Sequence, residues 1–299
     1  MHKNNKDYRN VETETHACSG SVSETHEIAL KLKTEKKQMK TVFGTKEWAA
    51  SNVNIQGGCS NDCRYCYAKS MAIRFKRMTR ESWKEPIINA DKVKKGYRKR
   101  KGTIMFPTTH DISQDNLSDC ITTLRNMLKV GNRVLTVSKP DPDCIAELCC
   151  ELEEFKDQIL FRFTIGSASD SVLSFWEPEA PSFSDRLQAL KIARDHGFET
   201  SVSCEPMLDN RIEDVVDAVL PFVTDAVWIG LPNKLGQHIA RNCGDKESEA
   251  RGVELMALFT DERIRELYGK YASHPKIKWK ESIKKAVGLE LPAEVGLDI

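Results

Sequence analysis

The sequence carries almost no net charge: 45 Lys and Arg stand against 44 Asp and Glu, leaving +1. No global field therefore selects a nucleic acid or a membrane surface. It also lacks any run approaching the ~20 apolar residues that a bilayer-spanning helix needs. No secretory leader is recognisable, so the ten cysteines are expected in a reducing cytosol and not in a disulfide framework. Large apolar residues are scarce in the first stretch. Residues 1–40 are dense in Lys, Glu, Thr, Asn and Ser, and are expected to be an arm without a packed fold. Within it only 27–33 is patterned for a helix or strand on docking, and Cys18 and the histidines there are read as incidental. What remains is ample: 299 residues at 40% hydrophobic content can bury a sizeable core.

Three of the cysteines stand together. Cys59, Cys63 and Cys66 have the spacing C-x3-C-x2-C, with Tyr65 just before the last. Three thiolates this close can take three irons of a cubane cluster and leave the fourth without a protein ligand. An open metal position is where a small molecule binds. The competing use is a structural zinc site, which adds a fourth Cys or His and in zinc ribbons has two C-x2-C-like pairs far apart. No second pair exists here. Cys144, Cys149 and Cys150 come nearest, but their spacing is wrong, and beside Leu148 and Leu152 on a predicted helix they read as core.

The segment Gly57-Gly58-Cys59-Ser60-Asn61-Asp62-Cys63-Arg64-Tyr65-Cys66-Tyr67-Ala68 resembles the cluster loop of the radical S-adenosylmethionine (SAM) superfamily, with Tyr65 in its aromatic slot. The resemblance implies a [4Fe-4S] cluster whose fourth iron is chelated by the amino and carboxylate groups of SAM. It implies reductive cleavage of SAM to methionine and a 5′-deoxyadenosyl radical, which takes a hydrogen atom from a substrate. Thiolate-held clusters reach potentials down to about −700 mV, as an electron transfer into a sulfonium demands. An electron donor such as a flavodoxin or ferredoxin is implied as a partner.

From about Trp48 a strand-then-helix rhythm sets in. Predicted strands are 51–56, 103–107, 133–137, 159–165, 200–204 and 226–230, short, apolar and β-branched like strands buried on both faces. Predicted helices are 66–77, 114–129, 142–155, 182–196 and 212–222. Ser182 and Asp185 form a capping signal, and Gly197 is a stop. Such alternation means parallel strands with right-handed crossovers. Six units make three quarters of a TIM barrel, the (β/α)6 partial barrel the resemblance implies, over 41–245; periodicity alone leaves a doubly wound sheet open. Residues 246–299 read as an extension with one long helix over 248–271, a further strand over 276–280 and a tail from 289.

In a barrel, chemistry collects where strands end. The cysteine loop follows the first strand, Thr108-Thr109-His110-Asp111 the second, Ser138-Lys139-Pro140 the third and 166–170 the fourth. The fifth ends in Cys204-Glu205-Pro206 and the sixth in Pro232-Asn233-Lys234. Several of these resemble the spore photoproduct lyase-like branch: Thr109-His110-Asp111 its Thr-Asp element, and Ser138-Lys139 its Thr-Lys-Ser element. Phe163-Thr164-Ile165, Glu177-Pro178, Pro181 and Arg186-Leu187-Gln188-Ala189-Leu190 resemble its fourth strand and the helix after it, so the likeness runs over about 48–233. It implies Lys139 and Thr164 as leading SAM contacts, with Lys139 a cation for the methionine carboxylate. Tyr65 would pack near SAM, and Thr108, Thr109, Asp111, Ser138 and Glu205 are further candidate cofactor contacts. Where many members of the superfamily have Gly-Gly-Glu for the SAM amine, this chain has Pro107-Thr108-Thr109, which leaves the amine's partner undefined. The lyase's substrate-handling elements, including its hydrogen-donating cysteine, find no match, so its repair activity is not carried over as the main reading.

Cys204 and Glu205 are the catalytic candidates. Cys204 would donate a hydrogen atom to a substrate radical, against the alternative of a small buried apolar residue. Glu205 would meet a ribose hydroxyl or substrate, or pair with a structural Arg. His110 would be a proton shuttle or a hydrogen-bonded core residue. The stretch 69–101 holds thirteen Lys or Arg against Glu81, Glu85 and Asp91. It would attract a phosphate-bearing substrate or nucleic acid, with Trp83 and Tyr97 as stacking platforms. Alternatively it is a solvated face balanced by acidic runs at 209–217 and 245–254. The sequence thus reads as a cytoplasmic radical SAM enzyme of unidentified substrate. A DNA photoproduct lyase and a non-catalytic, metal-stabilised nucleic-acid module stay open beside it.

Overall fold

Seven strands follow one another across one sheet in the order of the chain. They are β1 Ser51–Asn52, β2 Ile104–Phe106, β3 Val134–Ser138, β4 Ile159–Thr164, β5 Glu199–Cys204, β6 Val227–Ile229 and β7 Ile277–Trp279. The computed structural model describes residues 42 and 44–296; the arm expected over 1–40, with Cys18, lies outside them. Every neighbouring pair is parallel. A doubly wound sheet reverses its strand order partway. Unbroken sequential order with right-handed crossovers instead keeps the helices on one face and curls the sheet into a partial barrel.

The helices are α1 Tyr67–Arg74, α2 Ala90–Lys94, α3 Leu117–Leu128, α4 Pro142–Glu151, α5 Asp170–Trp176 and α6 Phe183–Asp195. They continue with α7 Ile212–Val219, α8 Leu235–Asn242, α9 Lys246–Ala257, α10 Asp261–Tyr271 and α11 Glu281–Val287. The Ser182–Asp185 capping box starts α6 and Gly197, at φ +82°, follows its end, as predicted. Asp141 caps α4, with Pro142 in its first turn.

Four features depart from the sequence reading. The barrel has seven strands, because the segment expected at 276–280 pairs with β6. The first predicted strand, 51–56, splits: only Ser51–Asn52 pairs with β2, while Gln56–Gly57 turns into an antiparallel ribbon with Ile87–Ile88. The single helix expected over 248–271 is two, because Thr260 accepts a hydrogen bond from the N–H of Arg263 and starts a new helix. Finally, α2, α5, α8 and α11 lie outside every predicted helix.

Strand alternation separates two interiors. Phe161 and Phe163 of β4 and Val202 and Cys204 of β5 pack outward against Leu124, Leu148 and Leu190 of the helices. On the inner face Met105 and Leu135 cluster with Trp48 and Leu160. Arg162 shares that face: its guanidinium lies 4.5 Å from the Trp48 ring and 5.1 Å from Trp228, and its Nε donates to Ser201 Oγ at 3.0 Å. Lys280, just past β7, places its ammonium 2.9 Å from Glu47 and 3.9 Å from the Trp48 ring. The lumen is therefore a packed, charge-compensated interior and not a pore.

Candidate active site

The cysteine loop is fixed from several sides. Gly58 has φ +84°, and a Cβ there would sit 2.7 Å from the carbonyl oxygen of Trp83; that close approach and that dihedral both demand glycine. The N–H of Cys59 donates to the same Trp83 oxygen at 2.9 Å, and Gln56 Nε2 donates to the Gly58 carbonyl at 3.1 Å. Cys66 caps α1, its sulfur accepting from the N–H of Lys69 at 3.4 Å. Two of the unpredicted helices, α5 and α8, clamp the loop from behind. The N–H of Arg64 donates to the Trp176 carbonyl of α5 at 2.9 Å, and Asn242 of α8 donates to the carbonyls of Arg64 and Cys66 at 3.0 and 2.8 Å.

Opposite the thiols lies Asp111. Its Oδ1 accepts from the N–H of Lys139 at 2.7 Å and from Ser138 Oγ at 3.0 Å. Its Oδ2 accepts from Asn61 at 2.9 Å, the Lys139 ammonium at 3.3 Å and the Cys59 thiol at 3.9 Å. Burial pushes this carboxyl upward, but the Lys139 charge and the convergent donors outweigh it and hold the group below its ordinary value. Lys139 shows the mirror image. Desolvation disfavours its charge, yet Asp111 and the surrounding acidic groups keep the ammonium well above the usual lysine value. The ammonium also stands 5.9 Å from the Tyr65 ring.

A second network runs from Tyr65. Its hydroxyl donates to Glu177, whose other oxygen pairs with Arg186 at 2.5 Å. Both ionic side chains are fully buried. Arg186 also donates to the carbonyls of Pro181 at 2.8 Å and Thr164 at 3.1 Å, which ties the cysteine loop to the end of β4. Burial, reinforced by the Glu177 charge, pushes the Tyr65 phenol well up, so it stays a donor. Sequence reasoning quoted Glu177 and Arg186 but gave them no role. Asn54 was missed entirely: its side-chain oxygen accepts from the N–H groups of Thr108 and Thr109 at 2.6 and 3.0 Å, and its amide donates to Thr108 Oγ1 at 2.8 Å. Tyr67 closes that turn by donating to the Thr108 carbonyl.

The three cysteines share one environment. Desolvation pushes Cys59 up to about 12, with the Asp111 charge adding to it, and drives Cys63 and Cys66 upward as well; Cys66 adds repulsion at both other thiols. Thiols so placed ionise when a metal replaces the proton. Their soft sulfur donors fit an iron–sulfur cluster, and among the described residues no group of three or more His, Cys, Asp or Glu is already gathered around a metal-sized point.

Other predicted residues are placed differently. Cys204 lies fully buried in the sheet–helix core beside Val202, on the strand face opposite Ser201 and Ser203, so it is not brought to the lumen. Glu205 is at the strand end as predicted, 3.5 Å from the Lys280 ammonium, with Asn233 Nδ2 donating to its Oε1 at 3.4 Å and its side chain 21% exposed. His110 is a bonded core residue: Nε2 accepts from the N–H of Ile55 at 3.4 Å, and Nδ1 meets the Asp111 carbonyl at 3.1 Å. Trp83 is buried against the cysteine helix and offers no stacking platform. Within 69–101, Lys69 is buried against Asp62, and Arg80 donates to the last carbonyls of α8. Arg74, Lys76 and Arg77 are exposed. Among the described residues no helix is long and apolar enough to cross a membrane.

Comparison with known proteins agrees with this geometry. The family model described as the radical SAM superfamily matches residues 53–219. Uncharacterized protein ORF301 of Acidianus two-tailed virus is 25% identical over 213 residues, which cover 64% of this chain and 66% of that protein, just under two thirds of its length. The fold is shared with spore photoproduct lyase complexed with dinucleoside spore photoproduct, at a TM-score of 0.53 and 13% identity over 82% of this chain and 79% of that one. A mutant of the same lyase with bound AdoMet and dinucleoside spore photoproduct matches at 0.50 and 12% identity over 86% and 94% of the two chains. Since the family model spans more than half of the 299 residues, the protein belongs to the radical SAM superfamily.

Proposed function

We propose that Cys59, Cys63 and Cys66 hold a [4Fe-4S] cluster and that the enzyme cleaves SAM reductively to generate a 5′-deoxyadenosyl radical for hydrogen abstraction. The observation that carries this reading is the buried three-thiol loop facing the Asp111–Lys139 pair at the strand ends. When bound, such a cluster supplies the low-potential electron and an open coordination position. The chain supplies the rest. Lys139 offers a desolvated ammonium to the methionine carboxylate. Asp111, surrounded by five donors, acts as a positioning residue that aims Lys139. Tyr65, held by Glu177, packs beside that ammonium, and the Arg186 bond to the Thr164 carbonyl fixes the end of β4 where SAM would lie. Thr108, Thr109 and Ser138 line the same mouth, and Glu205 faces it from β5 as the group for a ribose or substrate hydroxyl. The packed lumen excludes water from a reactive radical.

The test is anaerobic reconstitution with iron and sulfide. About four iron and four labile sulfide per chain are expected, with 5′-deoxyadenosine released from SAM after dithionite reduction. One zinc per chain without labile sulfide sinks the proposal. The neighbouring lyase's ligand is a dinucleoside photoproduct, and an ultraviolet-damaged oligonucleotide assay tells a repair lyase from a modifier of another substrate. We place the enzyme in the cytoplasm with a reduced flavodoxin or ferredoxin as its source of electrons.

A further inference from the structure

Two segments at the N-terminal end of the sheet, opposite the mouth, join their cations into one surface. Residues 95–103 lead into β2 without helix or strand, and 129–133 form the turn from α3 into β3. The two strands are parallel neighbours, and the N–H of Ile104 donates to the Arg133 carbonyl at 3.0 Å, so the segments lie side by side. Asn132 locks them together. Fully buried, its Oδ1 accepts from the N–H of Arg100 at 2.8 Å, and its amide donates to the carbonyls of Arg98 at 3.2 Å and Met127 at 3.0 Å. Lys99 reaches across, its ammonium 3.4 Å from where a Cβ on Gly131 would stand. Lys95, Arg98, Lys99, Lys101, Lys129 and Arg133 are all exposed. No acidic residue occurs from 92 to 110 or from 120 to 140. Among the described residues only Arg133 of these six has an ion-pair partner, Glu199 at 3.0 Å. The acidic runs that could balance them are engaged elsewhere: Glu213 pairs with Arg263 at 2.6 Å and Asp245 with Arg64 at 3.7 Å.

We infer that this face holds double-stranded nucleic acid by its phosphate backbone, as a docking surface separate from the mouth. Like charges gathered on one face repel one another. A polyanion relieves that repulsion and releases its own counterions on binding. The five residues of β3, at about 3.3 Å each, put the patch about 17 Å from the strand end that carries Lys139, so it is not an extension of the reaction site. Single strands are held by stacking their bases on aromatic rings. The one aromatic of these segments, Tyr97, is partly buried against the core, with the Arg100 guanidinium 5.8 Å from its ring. A membrane surface takes apolar side chains along with cations, and Val130, 39% exposed, is the one large apolar side chain that these segments expose. A duplex needs neither. Phosphate contacts carry no sequence information, so the binding is independent of base sequence. The inference stands apart from the reductive reading, because none of these residues belongs to the site that carries it.

The experiment follows the fluorescence anisotropy of a labelled DNA duplex as reconstituted holoprotein is added, at salt from about 50 to 200 mM. It compares wild type with an Arg98→Gln, Lys99→Gln, Lys129→Gln variant. A charge-matched control, Arg74→Gln, Lys76→Gln, Arg77→Gln, removes exposed cations on and just beyond α1. Five cations without an ion-pair partner predict a slope of log K against log salt of about −4.5, at roughly −0.9 for each phosphate neutralised. The patch variant is expected to bind at least about tenfold more weakly at the lower salt, with a slope of about −2. The control keeps the wild-type slope and affinity, and two duplexes of unrelated sequence bind alike. Equal slopes for wild type and the patch variant, or no binding by wild type, overturn the inference. So does a control that loses the slope, which moves the contact to the α1 side. Patch-dependent binding that is tighter for a single strand than for the duplex overturns it too, as does a patch variant that loses affinity for phosphatidylserine vesicles while keeping that for the duplex. Dithionite-driven release of 5′-deoxyadenosine stays at the wild-type level in both variants. Its absence in wild type sinks the reductive reading and leaves the binding result intact.

Discussion

Asp111 and Lys139 meet twice: the Lys139 N–H donates to Oδ1 at 2.7 Å, and its ammonium lies 3.3 Å from Oδ2. Both side chains are largely buried. Asp111→Asn keeps the shape but leaves a buried ammonium without its counter-charge, and breaking such a pair costs about 3–5 kcal/mol. The variant is expected to unfold at clearly lower denaturant and to lose SAM affinity. An unchanged midpoint in urea would show that the pair does not anchor the site.

Glu177 separates two contributions. Tyr65→Phe removes one donor, but Glu177 keeps its Arg186 partner, so the loss is about 1 kcal/mol. Glu177→Gln strands a buried guanidinium and is expected to cost about 3 kcal/mol or more. Chemical denaturation of both single variants and the double variant gives the coupling, and equal losses from the two single changes contradict this ordering.

Gly58 is sterically obligatory. A Cβ at φ +84° meets the Trp83 carbonyl at 2.7 Å, and the strain, of order 1–3 kcal/mol, falls on the loop that carries Cys59. Gly58→Ala should lower iron incorporation on reconstitution more than it lowers global stability. Iron content matching wild type would show that the loop tolerates the side chain.

His110 gives a pH signature. Burial lowers its imidazole value, only partly offset by Asp111. With Nε2 accepting from Ile55 N–H, a second ring proton would face another donor. A depressed folded value means that the unfolded chain binds the proton more readily. This contribution is therefore complete above about pH 6.5 and is lost as pH falls below it, by at most about 1.4 kcal/mol per unit. Thermal melts of the apoprotein from pH 7.5 to 5.5 should drop more steeply for wild type than for His110→Gln. Parallel slopes would remove His110 as the cause.

Cys204 and Cys63 should behave as opposites. Cys204→Ser places a hydroxyl in the sheet–helix core and is expected to cost about 1–3 kcal/mol while leaving the yield of 5′-deoxyadenosine unchanged. Cys63→Ala should abolish both iron retention and SAM cleavage with little effect on the apoprotein's fold.

Much of the architecture was legible because its causes are local. The apolar, β-branched runs at 103–107, 133–137, 159–165, 200–204 and 226–230 are strands, since a strand buried on both faces needs that composition over only a few residues. The capping pair Ser182 and Asp185 lies within one turn. Helices α5 and α8 escaped notice because seven or eight residues offer too little periodicity, and their role is to present Trp176 and Asn242 to a distant loop. Trp83 misled for the same reason: composition marked an aromatic among cations, whereas packing buried it.

The spacing of Cys59, Cys63 and Cys66 was set by the sequence alone, as was the parallel strand–helix winding, because neighbours along the chain cannot separate by more than the backbone allows. Only the tertiary structure decided which groups face those thiols. Cys59 meets Asp111 across 52 positions, Tyr65 meets Glu177 across 112, and Asn242 reaches Cys66 across 176. At such separations nothing in the chain fixes a distance. Sheet order and the two strand faces do, by bringing the strand ends together at one mouth and sending Cys204 to the other side.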